Sequence, residues 1–111
     1  MAYDRALAER VREQLAGEEG LTERAMFGGL AFLADGNMAV CVASGGGLMV
    51  RVGPEGLAAA LARPHARPFD MAGRSMKGWV LVESEGLRTK RQLGPWVQRG
   101  VRFARSLPPK G

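Results

Sequence analysis

A single cysteine, Cys41, among 111 residues excludes an internal disulfide and any zinc site built from several thiolates. With one histidine, His65, the sequence also lacks the imidazole partners of a standard protein-ligated zinc site. No apolar run approaches the roughly 20 residues that a membrane-spanning helix requires. Residues 1–14 carry Asp4, Glu9 and Glu13 among their arginines and lack the apolar stretch of a secretory signal. With one free thiol, these absences point to a cytoplasmic protein that makes no use of a membrane. Acidic residues are missing from the C-terminal end: from Gly86 onward there are seven basic residues and no aspartate or glutamate. The first 85 residues hold nine basic and eleven acidic groups, so the net charge of +5 belongs to the C-terminal segment.

What is present is an ordinary globular composition, 46% hydrophobic and 24% charged, at the length of one domain spanning residues 1–111. Leu7, Ala8, Val11 and Leu15 recur at helical spacing and predict an amphipathic helix over 4–16, stopped by Gly17 and Gly20. Short strands are predicted over 22–26 and 30–34. Asp35-Gly36 then marks a tight hairpin turn, and a return strand over 38–43 is apolar on both faces and therefore central. A further strand over 48–52 leads into Gly53-Pro54, which opens a second helix whose stripe is Leu57, Ala60 and Leu61. Residues 63–68 read as a polar loop, 69–71 as extended, 72–75 as a turn and 76–83 as a strand. The last helix lies between Thr89 and Leu107, with Thr89 and Gln92 fitting a capping box. Pro95 is either tolerated in the first turns or marks a later helix start. The expectation is a two-layer α+β fold with an antiparallel sheet of about five strands. An N-terminal, a middle and a C-terminal helix complete the order α-β-β-β-β-α-β-β-α.

Two groups of residues are candidate binding surfaces. Plotted at about 100° per residue, the last helix places Leu93, Trp96, Val97, Gly100, Ala104 and Leu107 on one side, and Arg91, Gln98, Arg99, Arg102 and Arg105 on the other. Guanidinium forks suit phosphate or carboxylate partners, although any surface helix needs a solvated charged face. No aromatic interleaves with these arginines, which argues against a base-stacking platform. The second group is Arg51, Arg67, Arg74 and Lys77 around Trp79, an arrangement able to accept an anion near the sheet.

Signs of catalysis are missing. Gly28-Gly29 and Gly45-Gly46-Gly47 match neither of the glycine-rich phosphate-loop patterns. Cys41 lies in an apolar strand, where a thiol behaves as a small hydrophobe. His65 lies in the exposed stretch Arg-Pro-His-Ala-Arg-Pro, so a thiol–imidazole dyad is not expected. Met26, Met38, Met49, Met71 and Met76 read as core filler. No carboxylate pair marks acid–base work, and no cofactor or metal is called for.

Several stretches in order make a recognisable set: Met26-Phe27-Gly28-Gly29-Leu30, Asn37-Met38, Val50-Arg51-Val52-Gly53, Arg67-Pro68-Phe69, Gly73-Arg74-Ser75-Met76-Lys77-Gly78-Trp79, Trp96-Val97, Phe103-Ala104 and Ser106-Leu107-Pro108. Together they resemble the N-terminal domain of the TfoX/Sxy regulators. The resemblance implies helices against an antiparallel sheet, no catalytic residues, and a role through protein contacts. Regulators of that family in bacterial competence act with a transcriptional activator and carry a second, helical domain. This sequence, ending at Gly111, is expected to stand alone without it. The function expected is thus a non-catalytic regulatory or adaptor domain that binds another protein, a transcription regulator being one class of partner and a homodimer another form of contact. The alternatives are a nucleic-acid-associated module using the arginine face, and a small-ligand binder or unrecognised enzyme. A pocket with converging polar groups near Trp79 would favour the last of these.

Overall fold

The computed structural model describes residues 3–26, 28–71 and 74–110 and, within these, all side chains but those of residues 70, 71 and 74–76. Asp4 begins the first helix, α1 (Arg5–Leu15), by accepting the Leu7 amide at 3.1 Å. Leu7, Ala8, Val11 and Leu15 are its buried stripe. Four strands follow as a meander: β1 (Leu21–Met26), β2 (Gly29–Ala34), β3 (Asn37–Val42) and β4 (Leu48–Arg51). Between β2 and β3, Asp35 and Gly36 both take positive φ, 53° and 83°, the backbone that a two-residue hairpin requires. Helix α2 (Gly53–Leu61) crosses to β5 (Ala66–Met71). β6 (Arg74–Val82), a short 3-10 turn (Ser84–Leu87) and α3 (Lys90–Ser106) complete the chain.

All pairings are antiparallel, in the spatial order β1-β2-β3-β4-β6-β5. The expected element order is the observed one, and β3 is indeed interior and buried on both faces. The sheet has the six strands of that order, where about five were expected, and residues 66–68, read as loop, lengthen the edge strand expected over 69–71. An edge position tolerates a proline that has no N–H to give. The turn expected over 72–75 lies partly outside the described residues, as do Phe27 and Gly73 of the recognisable stretches.

The alternation of side chains gives the sheet two apolar faces. One carries Leu30, Phe32, Val40, Val42, Leu48, Val50, Val80 and Val82, and all three helices pack on it. α3 lies across β3 and β4, while α2 lies against β6. The other carries Ala31, Leu33, Cys41, Met49 and Trp79, with Met26, Met38, Phe69 and Leu81 at its margin. No described helix covers that second face. Pro95 proves to be the sixth residue of an α3 that starts at Lys90: the Thr89–Gln92 capping box is complete, and the helix runs on through the proline.

Arg12 ties α1 to the edge of the sheet, its guanidinium donating to both carboxylate oxygens of Glu23 at 2.6 and 2.8 Å. That contact holds the Glu23 carboxyl below its ordinary value of 4.5. A carboxyl with a lower pKa in the folded state adds stability above its unfolded value, and this contribution disappears as pH falls through the folded one. Glu23→Gln is therefore expected to be less stable than the parent near neutrality, by a margin that shrinks below pH 4.5. Unfolding midpoints taken from about pH 6 to pH 3 check this, and an offset that stays constant across the range refutes it.

Candidate functional site

The C-terminal helix divides as its periodicity predicts. Leu93, Trp96, Val97, Gly100, Val101 and Ala104 are buried, Leu107 is half-buried, and Arg91, Gln98 and Arg102 face outward. Its four arginines have different fates. Arg105 is already engaged: it meets Glu18 at 3.0 Å and Asp35 at 3.1 Å and donates to the Glu19 carbonyl at 2.8 Å. Those carboxylates raise its pKa and make it a clamp between α3, the α1–β1 loop and the β2–β3 turn. Arg99 is half-buried, its guanidinium 5.1 Å from the ring centre of Trp96, so one arginine of the stripe does rest on an aromatic. Among the described residues, neither Arg99 nor Arg102 has a carboxylate partner.

Arg99 and Arg102 border a groove of about 880 Å³ between the start of α2 and the outer side of α3. Pro54, Pro95 and Phe103 supply its apolar lining, and Glu55 is its one acid among the described residues. The local sequence explains the shape. Gly53-Pro54 begins α2 with small, ring-shaped surface. Pro95 puts a second ring opposite, on the exposed side of α3. Phe103 stands half-buried one turn beyond Arg99.

The second candidate group is only partly brought together. Arg51 and Trp79 are cross-strand partners. The Arg51 guanidinium lies 5.9 Å from the Trp79 ring and 5.4 Å from Phe103, and donates to the Met38 carbonyl at 3.4 Å. Arg67, in β5 beyond the far side of β6, pairs with Glu83 at 3.2 Å instead. Lys77 is exposed on β6. The Arg74 side chain lies outside the described residues.

Cys41 and His65 are not brought together. Cys41 packs with Ala31, Leu33, Met49 and Trp79, and burial pushes its thiol up to about 11. His65 is exposed, at a positive φ of 69°. Its ring shares a neighbourhood with Glu83 and Glu85, the ligand atoms of the three lying within 4.8 Å of one another. That proximity was not legible in sequence, because it depends on β5 and β6 pairing.

Sequence periodicity found Arg99 and Arg102 but missed Pro54, Pro95 and Phe103. The two prolines read as helix punctuation, and Phe103 entered only as part of a recognisable stretch. Only the juxtaposition of α2 and α3 turns them into one surface. None of the described helices is long and apolar enough to cross a membrane. A family model described as the TfoX N-terminal domain matches residues 13–104. No curated protein and no solved structure matches the chain.

Proposed function

The chain belongs to the TfoX N-terminal domain family, and from that premise we propose that it is a non-catalytic adaptor domain that works by holding another protein. The observation that carries this reading is the groove between α2 and α3, with rings of Pro54, Pro95 and Phe103 inside and Arg99 and Arg102 at its border. Apolar lining rewards burial of apolar side chains, while the guanidinium groups select carboxylates. An amphipathic, acidic segment of a partner protein meets both demands, in the manner of a helix seated in a groove. The engagement of Arg105 by Glu18 and Asp35 shortens the cationic stripe available to a phosphate backbone, which favours a protein partner over nucleic acid.

The test compares the parent with an Arg99→Glu/Arg102→Glu variant as immobilised baits in native cytosol, alongside anisotropy of labelled duplex and single-stranded oligonucleotides at several salt concentrations. The expected outcome is a discrete protein retained by the parent and reduced at least about tenfold by the variant, with no oligonucleotide binding. Equal retention by the variant removes the groove from the proposal. Oligonucleotide binding that falls steeply with salt and is lost in the variant makes the same surface a phosphate-contacting face instead.

A further inference from the structure

The sheet face that no described helix covers carries a second recess, remote from the α2–α3 groove in what it offers. Its floor is apolar: Met26, Leu33, Met38 and Trp79. Around this floor stand three cations, Arg24 from β1, Arg51 from β4 and Lys110 from the tail, and no carboxylate is among the described lining residues. The recess measures about 400 Å³, within the range of small-ligand sites.

The three cations reach the rim by independent means. Arg24 is carried by the exposed edge strand β1, in register with Ala31 of β2. Lys110 is brought there by its own backbone, whose amide donates to the Asp35 carbonyl at 2.8 Å. Arg51 is held between the Trp79 and Phe103 rings and uses one N–H on Met38, leaving further donors of its fork free. Like charges gathered over an apolar floor repel one another, and an anion bound among them relieves that repulsion. Such a site accepts a charge at its edge and an apolar body at its base.

We propose that this recess binds a small amphipathic anion, an aliphatic body ending in a carboxylate, with the body against Trp79 and Met38 and the carboxylate among Arg24, Arg51 and Lys110. The proposal does not depend on the α2–α3 groove and stands or falls separately from it.

The probe is decanoate, with decylamine as the charge-reversed control and anionic phospholipid vesicles as the lipid-surface arm. Calorimetry on the unaltered chain measures binding. Fluorescence of a Trp96→Phe variant, in which Trp79 is the one remaining tryptophan, reports where it occurs. The expected result is saturable decanoate binding with a Kd below about 1 mM, a change in Trp79 emission, and no response to decylamine. Arg24→Glu, at an exposed position that leaves the core untouched, is expected to weaken decanoate binding about tenfold or more. The proposal is overturned by an absence of saturable binding, by equal binding of decylamine, or by an Arg24→Glu variant that binds as the parent does. Vesicle binding without decanoate binding also overturns it, since a charged surface alone then suffices.

Discussion

Gly100→Ala is expected to lower stability by about 3 kcal/mol, far more than the same change at the other glycine of the last helix. Gly100 is buried where α3 crosses β3. A Cβ built there would run into the Ala39 carbonyl oxygen and lie 2.7 Å from Val40 Cγ1. Both obstacles belong to an interior strand paired on each side, so neither can retreat without disturbing the sheet. For a domain of this size, that loss corresponds to a fall of about 10 °C in the unfolding midpoint. Gly94, six residues earlier in the same helix, supplies the control. A Cβ there meets only the flexible end of Gln14, at 3.2 Å. Gly94→Ala is expected to be neutral or stabilising, by up to about 1 kcal/mol, because alanine is the better helix former. Thermal or urea unfolding of the two variants checks the contrast, and equal midpoints would rule out the close approach of α3 to β3.

The Cys41 thiol is expected to resist alkylation and disulfide exchange in the native protein by a factor of about 1000 or more relative to the unfolded chain. Burial protects it in two ways. Burial raises the thiol from an ordinary 9.0 to about 11, which removes about 99% of the thiolate at neutral pH. Cys41 is also only 1% exposed, so reagent reaches it only when the sheet opens. Reaction with an aromatic disulfide reagent, with and without denaturant, measures both. A native rate close to the unfolded one would mean that the Cys41 face of the sheet is open to solvent. The prediction also bears on handling: oxidation of this single thiol reports loss of fold.

Much of the fold was legible because its signals are local. Asp35-Gly36 fixes a hairpin through the backbone angles it tolerates, Thr89 and Gln92 fix a helix start through reciprocal hydrogen bonds, and the stripe from Leu93 to Ala104 fixes which side of α3 packs. The edge strand β5 was harder to read. Arg-Pro-His-Ala-Arg-Pro has the composition of a loop, and its first half is one; what makes residues 66–68 extended is pairing with β6, a partner chosen by the rest of the sheet. The candidate surfaces follow the same division. Arg99 and Arg102 could be placed on an outward face from periodicity alone. That Arg105 is spent on Glu18 and Asp35, 87 and 70 residues away in sequence, could not. Nor could the union of Pro54, Pro95 and Phe103, or the meeting of Arg24, Arg51 and Lys110 above Trp79, because each depends on elements that come together only in the finished fold.

The placement of α3 also orders events in time. Strands β1 to β4 are consecutive hairpins and can pair as soon as residues 21–51 have left the ribosome, since their contacts are short-range. The face they present inward, from Leu30 and Phe32 to Val50, receives its main cover from Leu93, Trp96, Val97 and Val101, which are made near the end of synthesis. A chain interrupted before residue 90 therefore holds a paired sheet that lacks its main cover, the kind of surface that associates with its own copies or with chaperones.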